Sequence, residues 1–450
     1  MHRRSAAGSS WYYSFALANI ANGGTSPLIP LFLVMAFSGT LFQVGLVTAV
    51  TSIASIPAYI VWGNLTDHLH RRKLFIIEGF AGLAVSIAVM WLSVDFVMFL
   101  IANFLLGLLF TASAPAGTAL VIEKTGKDAW VSELGKFSKI GGAGYLLGLV
   151  AGGLWFALLP DRLQYMRIFF LLLTIISLIS AVLASLLIDE GGRHHHVSHH
   201  WNTLADIPLR VSERAKYLPS RVGALIRLAA PTSDERKEMG RPLMLYYVVI
   251  ALFATGFTAF YAVLPNYLAS DVGRKFSLNT SYVFAVYVGS SLASTFTYGR
   301  VYSLSARFGA RAVQIIAAAA RIAIIPSFYL ILPVLTIGIE AAAVMVSLNA
   351  LMGVCWAIIS VTAQSIVAEM AGPHIKGEAM GFYNAFYGIG SIAGAMIGGI
   401  VAQFSGYFSD FLFSSLLVAS GIMTMLPVRH LSLSIEKGER GKAKTAALTK

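Results

Sequence analysis

Long apolar runs alternate with short polar segments along most of the chain. A helix that crosses a membrane needs about 20 consecutive apolar residues, so this pattern predicts membrane-spanning helices. We expect an all-α integral membrane protein with twelve transmembrane helices, six in each half. The expected spans are 11–36, 42–64, 74–94, 96–122, 135–158, 165–188, 242–268, 278–300, 311–333, 337–368, 378–404 and 407–429.

The two halves share a register of identical residues, which indicates an internal duplication. The same interval of 246 residues relates Asn103 to Asn349 and Glu123 to Glu369. Repeats of this kind are typical of membrane transporters, so we expect two pseudo-symmetric six-helix bundles. Six glycines follow the interval, namely Gly135, Gly142, Gly144, Gly148, Gly152 and Gly153, which recur as Gly381, Gly388, Gly390, Gly394, Gly398 and Gly399.

A polar, basic segment separates the repeats and divides the chain into four parts. We expect an N-terminal six-helix bundle at 1–188, a cytoplasmic basic linker at 189–241, a C-terminal six-helix bundle at 242–430 and a cytoplasmic tail at 431–450. Scattered apolar residues among the linker's arginines suit an interfacial helix. Its HHHVSHH stretch offers imidazoles, but no cysteine or carboxylate completes a metal site, so we expect neither a metal nor a cofactor.

Composition and charge support the membrane interpretation and set an orientation. The chain is 57% hydrophobic and 12% charged, whereas soluble domains carry about 25% charged residues. With cytoplasmic termini, 28 of the 33 basic residues fall in cytoplasmic segments, four lie outside and one lies in a span. This asymmetry follows the positive-inside rule. We therefore expect a multi-pass plasma-membrane protein, and the net charge of +12 needs no nucleic-acid partner.

The loop between the second and third spans contains a motif. Residues 63–73 read GNLTDHLHRRK, in which Gly63, Asp67, Arg71 and Arg72 stand at characteristic positions. This resembles the signature loop of the major facilitator superfamily, and in particular of its 12-helix drug and metabolite exporter branch. The resemblance implies a conformational switch, in which Gly63 lets two helices approach and Asp67 caps the eleventh helix in an outward-facing state.

The repeated glycines carry a second resemblance. GYLLGLVAGG and GSIAGAMIGG, at 144–153 and 390–399, are similar to the family's fifth-helix antiporter motif, with Leu149 and Ala395 in place of its proline. Glycines four residues apart admit a neighbouring backbone. The resemblance implies that helices 5 and 11 line the seams between the halves. Gating glycines are then expected at Gly144, Gly148, Gly152, Gly153, Gly390, Gly394, Gly398 and Gly399.

The family's architecture also implies a substrate cavity lined mainly by the first, fourth, seventh and tenth spans. Polar and aromatic residues on the expected lining carry no charge, which favours a neutral or amphipathic small organic molecule over a phosphate or dicarboxylate. Each of them could equally serve interhelical packing. The candidates are Asn19, Asn22, Asn103, Tyr247, Tyr261, Asn349, Trp356, Asn384 and Tyr387.

The coupling residues common in proton-driven family exporters are missing, because Asn103 occupies the usual arginine position. The candidates for coupling are Glu78, Glu123, Glu369 and Arg321, the last being the only charge near mid-membrane. Proton coupling, substrate exchange and facilitated diffusion all stay open. A charged group at that depth is by default a functional residue, although Arg321 could instead snorkel or bind carbonyl groups.

These observations favour a monomeric secondary transporter that exports hydrophobic or drug-like compounds by alternating access. An importer or facilitator of a neutral nutrient such as a sugar is the alternative within transport. A non-transporting membrane sensor is the alternative of another class. An enzyme is not expected, because the spans hold no nucleophile–base pair and no phosphate-binding loop.

Overall fold

The computed structural model describes residues 10–69, 71–125, 130–189, 233–371 and 376–448. The side chains of several helical residues, Asp67 and those beyond position 426 among them, lie outside this description. The predicted linker between 190 and 232, with its HHHVSHH stretch and expected interfacial helix, and His70 of the signature loop also lie outside it. The described residues form helices joined by short turns and contain no strand.

Within the described residues, the first half contains eight α-helices, which correspond to the six predicted membrane crossings. A 3₁₀ turn at Phe110–Ala112 joins α5 to α6, and α1 and α2 form one crossing bent by 43°. The helices are α1 (Tyr12–Thr25), α2 (Leu28–Phe37), α3 (Leu41–Leu69), α4 (Arg72–Leu92), α5 (Phe96–Leu109), α6 (Ser113–Lys124), α7 (Trp130–Leu158) and α8 (Leu163–Leu187).

The second half repeats this arrangement. Two of its helices break at glycines with positive φ. The first, α9, kinks at Gly240 (φ 67°), and the second, α14, kinks at Gly406 (φ 82°). A π-helical turn at Leu268–Val272 joins α9 to the short α10. The helices are α9 (Ser233–Tyr267), α10 (Gly273–Phe276), α11 (Thr280–Phe308), α12 (Ala310–Leu330), α13 (Gly338–Met370) and α14 (Lys376–Leu448).

The helix count agrees with the predicted twelve crossings. Within the described residues, nine helical segments are long and apolar enough to cross a membrane, and the bent α1–α2 pair makes a tenth. One of the nine runs from Ala379 to Leu426 and holds two crossings, because α14 breaks at Gly406. The remaining predicted crossing corresponds to α11, which is not among these apolar segments because its 29 residues include many serines, threonines and tyrosines.

The two ends of the bundle differ. We name the end where α1, α4 and α7 begin the terminal face, and the end where α2 and α7 finish and α11 begins the distal face. A Cβ added to Gly63, Gly142 or Gly381, near the terminal face, would meet no atom within 4 Å. At the distal face, side chains of one half bind the backbone of the other. The halves are therefore joined at the distal face and separated around these glycines.

Candidate functional site

Four hydrogen bonds close the distal face across the two halves. In each of them a side chain from one half binds a backbone atom near a helix end of the other half, so the contacts depend on how the halves are placed. The bonds run from Asn266 Nδ2 to Pro30 O (3.2 Å), from Asn279 Nδ2 to Phe156 O (3.0 Å), from Thr280 N to Asp161 Oδ2 (2.6 Å) and from Leu41 N to Gln403 Oε1 (2.8 Å).

Aromatic packing seals the same face on one side of the molecule. The rings of Phe156 and Phe284, from opposite halves, stack with centroids 5.6 Å apart and planes inclined by 26°. A Cβ added to Gly152 would overlap the Phe284 ring, so this glycine makes room for it. On the other side, Gly399 packs against Leu41 and Gly45 of α3.

The repeated glycines divide into two groups with different neighbours. Gly144 and Gly148 of α7 face the backbone of α1 within their own half. Gly390, Gly394 and Gly398 of α14 face α9 in the same way. Gly152, Gly153, Gly388 and Gly399 face the opposite half, at its α11 or α3. The expectation that the whole set lines the seams is therefore wrong for the first group, because glycine spacing marks a close approach without identifying the neighbour.

Cavities open towards the terminal face in the first half. One of about 310 Å³ is lined by Asn19, Thr111, Phe137 and Gly141 among others. A neighbouring one of about 470 Å³ includes Gly63 in its lining. Gly63 therefore borders open space in this structure and makes no close helix contact of the kind its motif predicts, because the halves are apart here. The predicted cavity residue Asn19 does line a cavity.

Three tyrosines from the two halves lie near one another beyond these cavities. Tyr145 lies one helical turn past Gly141 on α7. Its hydroxyl is close enough to those of Tyr261 and Tyr287, from the other half, for electrostatic interaction. All three side chains are half-buried. Sequence reasoning identified Tyr261 but missed the other two, since a tyrosine in an apolar span looks like ordinary core packing.

Asn349 hydrogen-bonds to two neighbouring helices of the second half, one of which carries Tyr261. Its Nδ2 donates to Val286 O of α11 at 2.9 Å, and its Oδ1 accepts from the Tyr261 hydroxyl at 3.4 Å. Its repeat partner Asn103 instead binds Phe99 O of its own helix at 2.8 Å. The two asparagines are thus equivalent in sequence but not in contacts.

The remaining cavity candidates lie at different depths. Trp356 and Tyr387 are half-buried and pack with ring centroids 6.3 Å apart. Asn22 is half-buried and Asn384 exposed. Tyr247 is fully buried, and its hydroxyl donates to Ala379 O at 3.0 Å, so it braces α9 against α14 and lines no open space. We call Tyr145, Tyr261, Tyr287, Asn349, Trp356 and Tyr387 the central aromatic site.

The signature loop is only partly described. Arg72 Nε donates to Glu123 Oε1 at 2.9 Å, which joins α4 to α6 within one half at the terminal face. Arg71 is exposed. The side chain of Asp67 lies outside the described residues, so its predicted capping of the eleventh span stays a prediction.

The acidic candidates for coupling differ in exposure. Glu123 pairs with Arg72, Glu78 is half-buried, and Glu369 is exposed. Among the residues that the structure describes, the most enclosed carboxylate is one that sequence reasoning passed over, Asp410 near the distal end of the last span. Its side chain is 0% exposed, and neither carboxylate oxygen has a hydrogen-bond partner. The signal was present in the sequence as a lone acid within the apolar run 407–429.

Arg321 points into the second half. Its Nη2 donates to Met352 O at 3.0 Å, and its Cζ lies 4.0 Å from the Phe257 ring centroid. The side chain is fully buried, so it binds a carbonyl group, as one alternative held, and does not snorkel to the surface. No group of three or more metal-ligating side chains occurs within the described residues.

Solved structures share this architecture. A mutant form of the nucleoside transporter NupG superposes with a TM-score of 0.72 at 12% identity, covering 94% of this chain and 99% of that one. The tetrameric PepTSo2 gives a TM-score of 0.67 at 14% identity, covering 96% of this chain and 98% of that one. A bacterial homologue of the human lysosomal transporter Spinster, in an inward-facing and unoccupied conformation, gives a TM-score of 0.60 at 12% identity. The superposition covers 94% of this chain and 96% of that one. These similarities define the fold as that of a two-bundle membrane transporter.

The family follows from the sequence comparison. A profile of the Major Facilitator Superfamily matches residues 12–300 and 246–449, so the chain belongs to that superfamily. Multidrug resistance protein MdtG of Citrobacter koseri is 33% identical over 151 residues, which cover 32% of this chain and 35% of that protein. MdtG of Escherichia coli is 32% identical over 158 residues, which cover 34% of this chain and 37% of that protein. The matched region spans about a third of the length of these relatives.

Proposed function

We propose that this protein is a secondary transporter that exports hydrophobic or amphipathic organic compounds across the plasma membrane by alternating access. The observation that carries the proposal is the central aromatic site, which lies between a closed distal face and cavities that open at the terminal face. With the termini in the cytoplasm, as the basic residues predict, this arrangement is the inward-facing state. Since one chain supplies both halves of the site, a monomer suffices.

The transport cycle follows from the contacts between the halves. Cargo enters from the terminal face and stacks on the half-buried rings of Tyr261 and Trp356. Separation of Asp161 from Thr280 and of Phe156 from Phe284 then opens the distal face. Closure of the terminal face would bring Gly63 into the helix contact that its motif predicts. Each half moves as a unit because its helices pack closely. Gly148 allows α7 to contact the backbone of α1, and Gly394 allows α14 to contact the backbone of α9.

The direction of transport rests on a similarity and on the character of the site. The matched stretch of MdtG belongs to a protein named for multidrug resistance, which favours export. An aromatic site suits the varied apolar surfaces of such compounds. The fold alone does not fix the direction, so import of a neutral nutrient remains the alternative. A non-transporting sensor would need the linker, which lies outside the described residues.

For coupling, we propose that a proton binds at Asp410. A buried carboxylate without a hydrogen-bond donor is costly when ionised, because the membrane interior cannot solvate it. No charged side chain of the described residues acts on it electrostatically. A proton taken up there would neutralise the charge, and its release would need water to reach the distal end of the last span. Glu78 is the second candidate.

Reconstitution into proteoliposomes tests the proposal. Fluorescent organic dyes would be followed with and without an imposed pH gradient. We expect dye movement that the gradient accelerates, and export when the protein is oriented as in the cell. Absence of movement for every dye under every gradient would contradict transport. Uptake of sugars without movement of dyes would favour the importer.

A further inference from the structure

Arg321 is a fully buried cation near the middle of the membrane with most of its hydrogen-bonding capacity unused. It extends from α12 towards α9 and α13, and Met352 O is its hydrogen-bond acceptor, at 3.0 Å. Its Nε and Nη1 atoms have no partner within the described residues. A guanidinium offers five N–H donors in a planar fork, so the arrangement leaves part of the fork without an acceptor.

The surroundings of Arg321 are aromatic rather than acidic. The guanidinium lies over the Phe257 ring at 4.0 Å and stands 6.0 Å and 5.9 Å from the ring centroids of Tyr261 and Trp356. The groups that act on it electrostatically are Tyr261, Cys355 and Tyr387, and no carboxylate is among them. Cation–π contacts stabilise the charge in part, but they do not supply a counter-ion.

Arg167 in the first half shows how a structural arginine is held in the same protein. Its Nη1 and Nη2 donate to Trp91 O and Ser93 O at 2.9 and 2.8 Å, and its guanidinium lies 5.6 Å from the Phe32 ring. Two carbonyl acceptors and one ring satisfy that side chain at a helix end. Arg321 has one carbonyl acceptor and complete burial, so a purely structural role leaves its remaining donors unexplained.

We propose that Arg321 binds the acidic group of the transported compound, so that the preferred cargo is an aromatic organic anion. The inference rests on the proposed transport function and deepens it. An anionic oxygen pair would accept from the unused donors and neutralise the buried charge, which a neutral ligand cannot do. The aromatic body of the cargo would stack on Tyr261 and Trp356, the half-buried rings next to the guanidinium.

Access to Arg321 requires the aromatic side chains around it to move, Tyr261 among them. The Tyr261 hydroxyl donates to Asn349 Oδ1 at 3.4 Å, which is at the weak end of the range, and it also hydrogen-bonds to the Ser290 side chain. Movement of Tyr261 and Trp356, the half-buried rings beside the guanidinium, would give cargo access to it. The site is therefore not the uncharged one that the sequence candidates predicted, because Arg321 contributes to it from a helix expected to be peripheral.

A matched pair of probes tests this assignment. Naphthalene-2-sulfonate carries a permanent negative charge, whereas naphthalene-2-sulfonamide has the same body and is neutral at pH 7. Binding to the purified protein would be measured by ligand-induced thermal stabilisation and by titration. We expect the wild type to bind the sulfonate at least about tenfold more tightly, the equivalent of one charge-assisted interaction. Equal binding of the two probes would overturn the proposal.

Three variants identify the residue responsible. Arg321→Gln should lose the preference through about a tenfold weaker sulfonate affinity, while its sulfonamide affinity stays within about threefold of the wild type. Arg321→Lys should keep part of the preference, because it retains the charge without the fork. Arg167→Gln should lower thermal stability and keep the preference. Retention of the full preference in Arg321→Gln, or equal loss of both probes, would contradict the assignment.

Transport of the same probes separates this inference from the proposed function. If wild-type proteoliposomes move neither probe although the sulfonate binds with the expected preference, transport fails and the anion site stands. If they move both probes equally well, transport stands and the anion site fails.

Discussion

Asp161 accepts a hydrogen bond from the backbone N–H of Thr280 at 2.6 Å, and this contact joins the two halves at the distal face. Thr280 is the first residue of α11, so the carboxylate caps the N-terminus of a helix in the opposite half. The signature motif implies the same device for Asp67 at the terminal face. Each face would then have an acidic cap that forms when the face closes.

Removing the Asp161 carboxylate should weaken distal closure. Because an N-cap interaction contributes about 1 kcal/mol, we expect Asp161→Ala to shift the population towards the distal-open state by about fivefold. Spin labels at the exposed positions Leu158 and Val334, in a Cys355→Ala background, would report the separation of the halves. Asp161→Asn keeps an acceptor and serves as the control. Identical distance distributions for Asp161→Ala and the wild type would argue against the cap.

The same contact should make distal closure sensitive to pH. Burial raises the pKa of Asp161, although the hydrogen bond from Thr280 N–H acts in the opposite direction. In the open state the side chain would be in water with an ordinary pKa, so the closed state binds the proton more tightly. Closure should therefore strengthen as the pH falls from neutral through the raised pKa and weaken as the pH rises again.

The label distances at pH 5 and pH 7.5 measure this dependence. The wild type should show more of the closed population at the lower pH. Asp161→Asn should lose most of the difference, because it cannot titrate. A larger closed population at the higher pH in the wild type would show that the sign is wrong.

The close packing of α7 on α1 predicts a difference between two glycines of one helix. A Cβ on Gly148 would overlap the Ile20 carbonyl oxygen, whereas one on Gly142 would meet no atom within 4 Å. We expect Gly148→Ala to lower the free energy of unfolding by about 1–3 kcal/mol, since the backbone must shift. Gly142→Ala should be neutral or stabilising by up to about 1 kcal/mol, because alanine favours helix. Thermal unfolding in detergent measures both, and equal losses would contradict the packing.

Neutralising Asp410 should abolish the coupling of transport to the pH gradient without lowering the thermal stability of the protein. Asp410→Asn removes an uncompensated buried carboxylate, so we expect thermal stability at neutral pH to be unchanged or higher. Transport driven by a pH gradient should be lost, while exchange of cargo across the membrane without a gradient should persist. The exposed Glu369→Gln is the matched control and should keep both activities. Gradient-driven transport by Asp410→Asn at the wild-type rate would exclude this residue as the proton site.

The sequence predicted the membrane crossings, the duplication and the family because each depends on local or repeated patterns. Apolar run length sets a span, and a constant interval reveals a repeat even where α14 carries two crossings. Glycine spacing also located the close helix approaches. It did not reveal that Gly148 faces its own half and Gly152 the other, because the neighbour depends on how the helices of both halves pack together.

The candidate site was less predictable for a similar reason. Asp161 lies in a short loop, and its partner Thr280 lies 119 residues further on, with no local signal to connect them. Tyr145 and Tyr287 acquire their place only where the halves meet. Arg321 was predicted as a charge near mid-membrane, but its orientation towards Tyr261 and Trp356 depends on the rotation of its helix, which the pattern does not specify.

Locking the distal face in the transport assay tests alternating access most directly. Asp161→Cys and Thr280→Cys, introduced together in a Cys355→Ala background, would be oxidised to a disulfide between the halves. In proteoliposomes we predict that dye transport stops on oxidation, returns on reduction and is unaffected by either treatment in each single-cysteine variant. Transport that continues while the disulfide is fully formed would contradict the account, since the distal face would then not need to open.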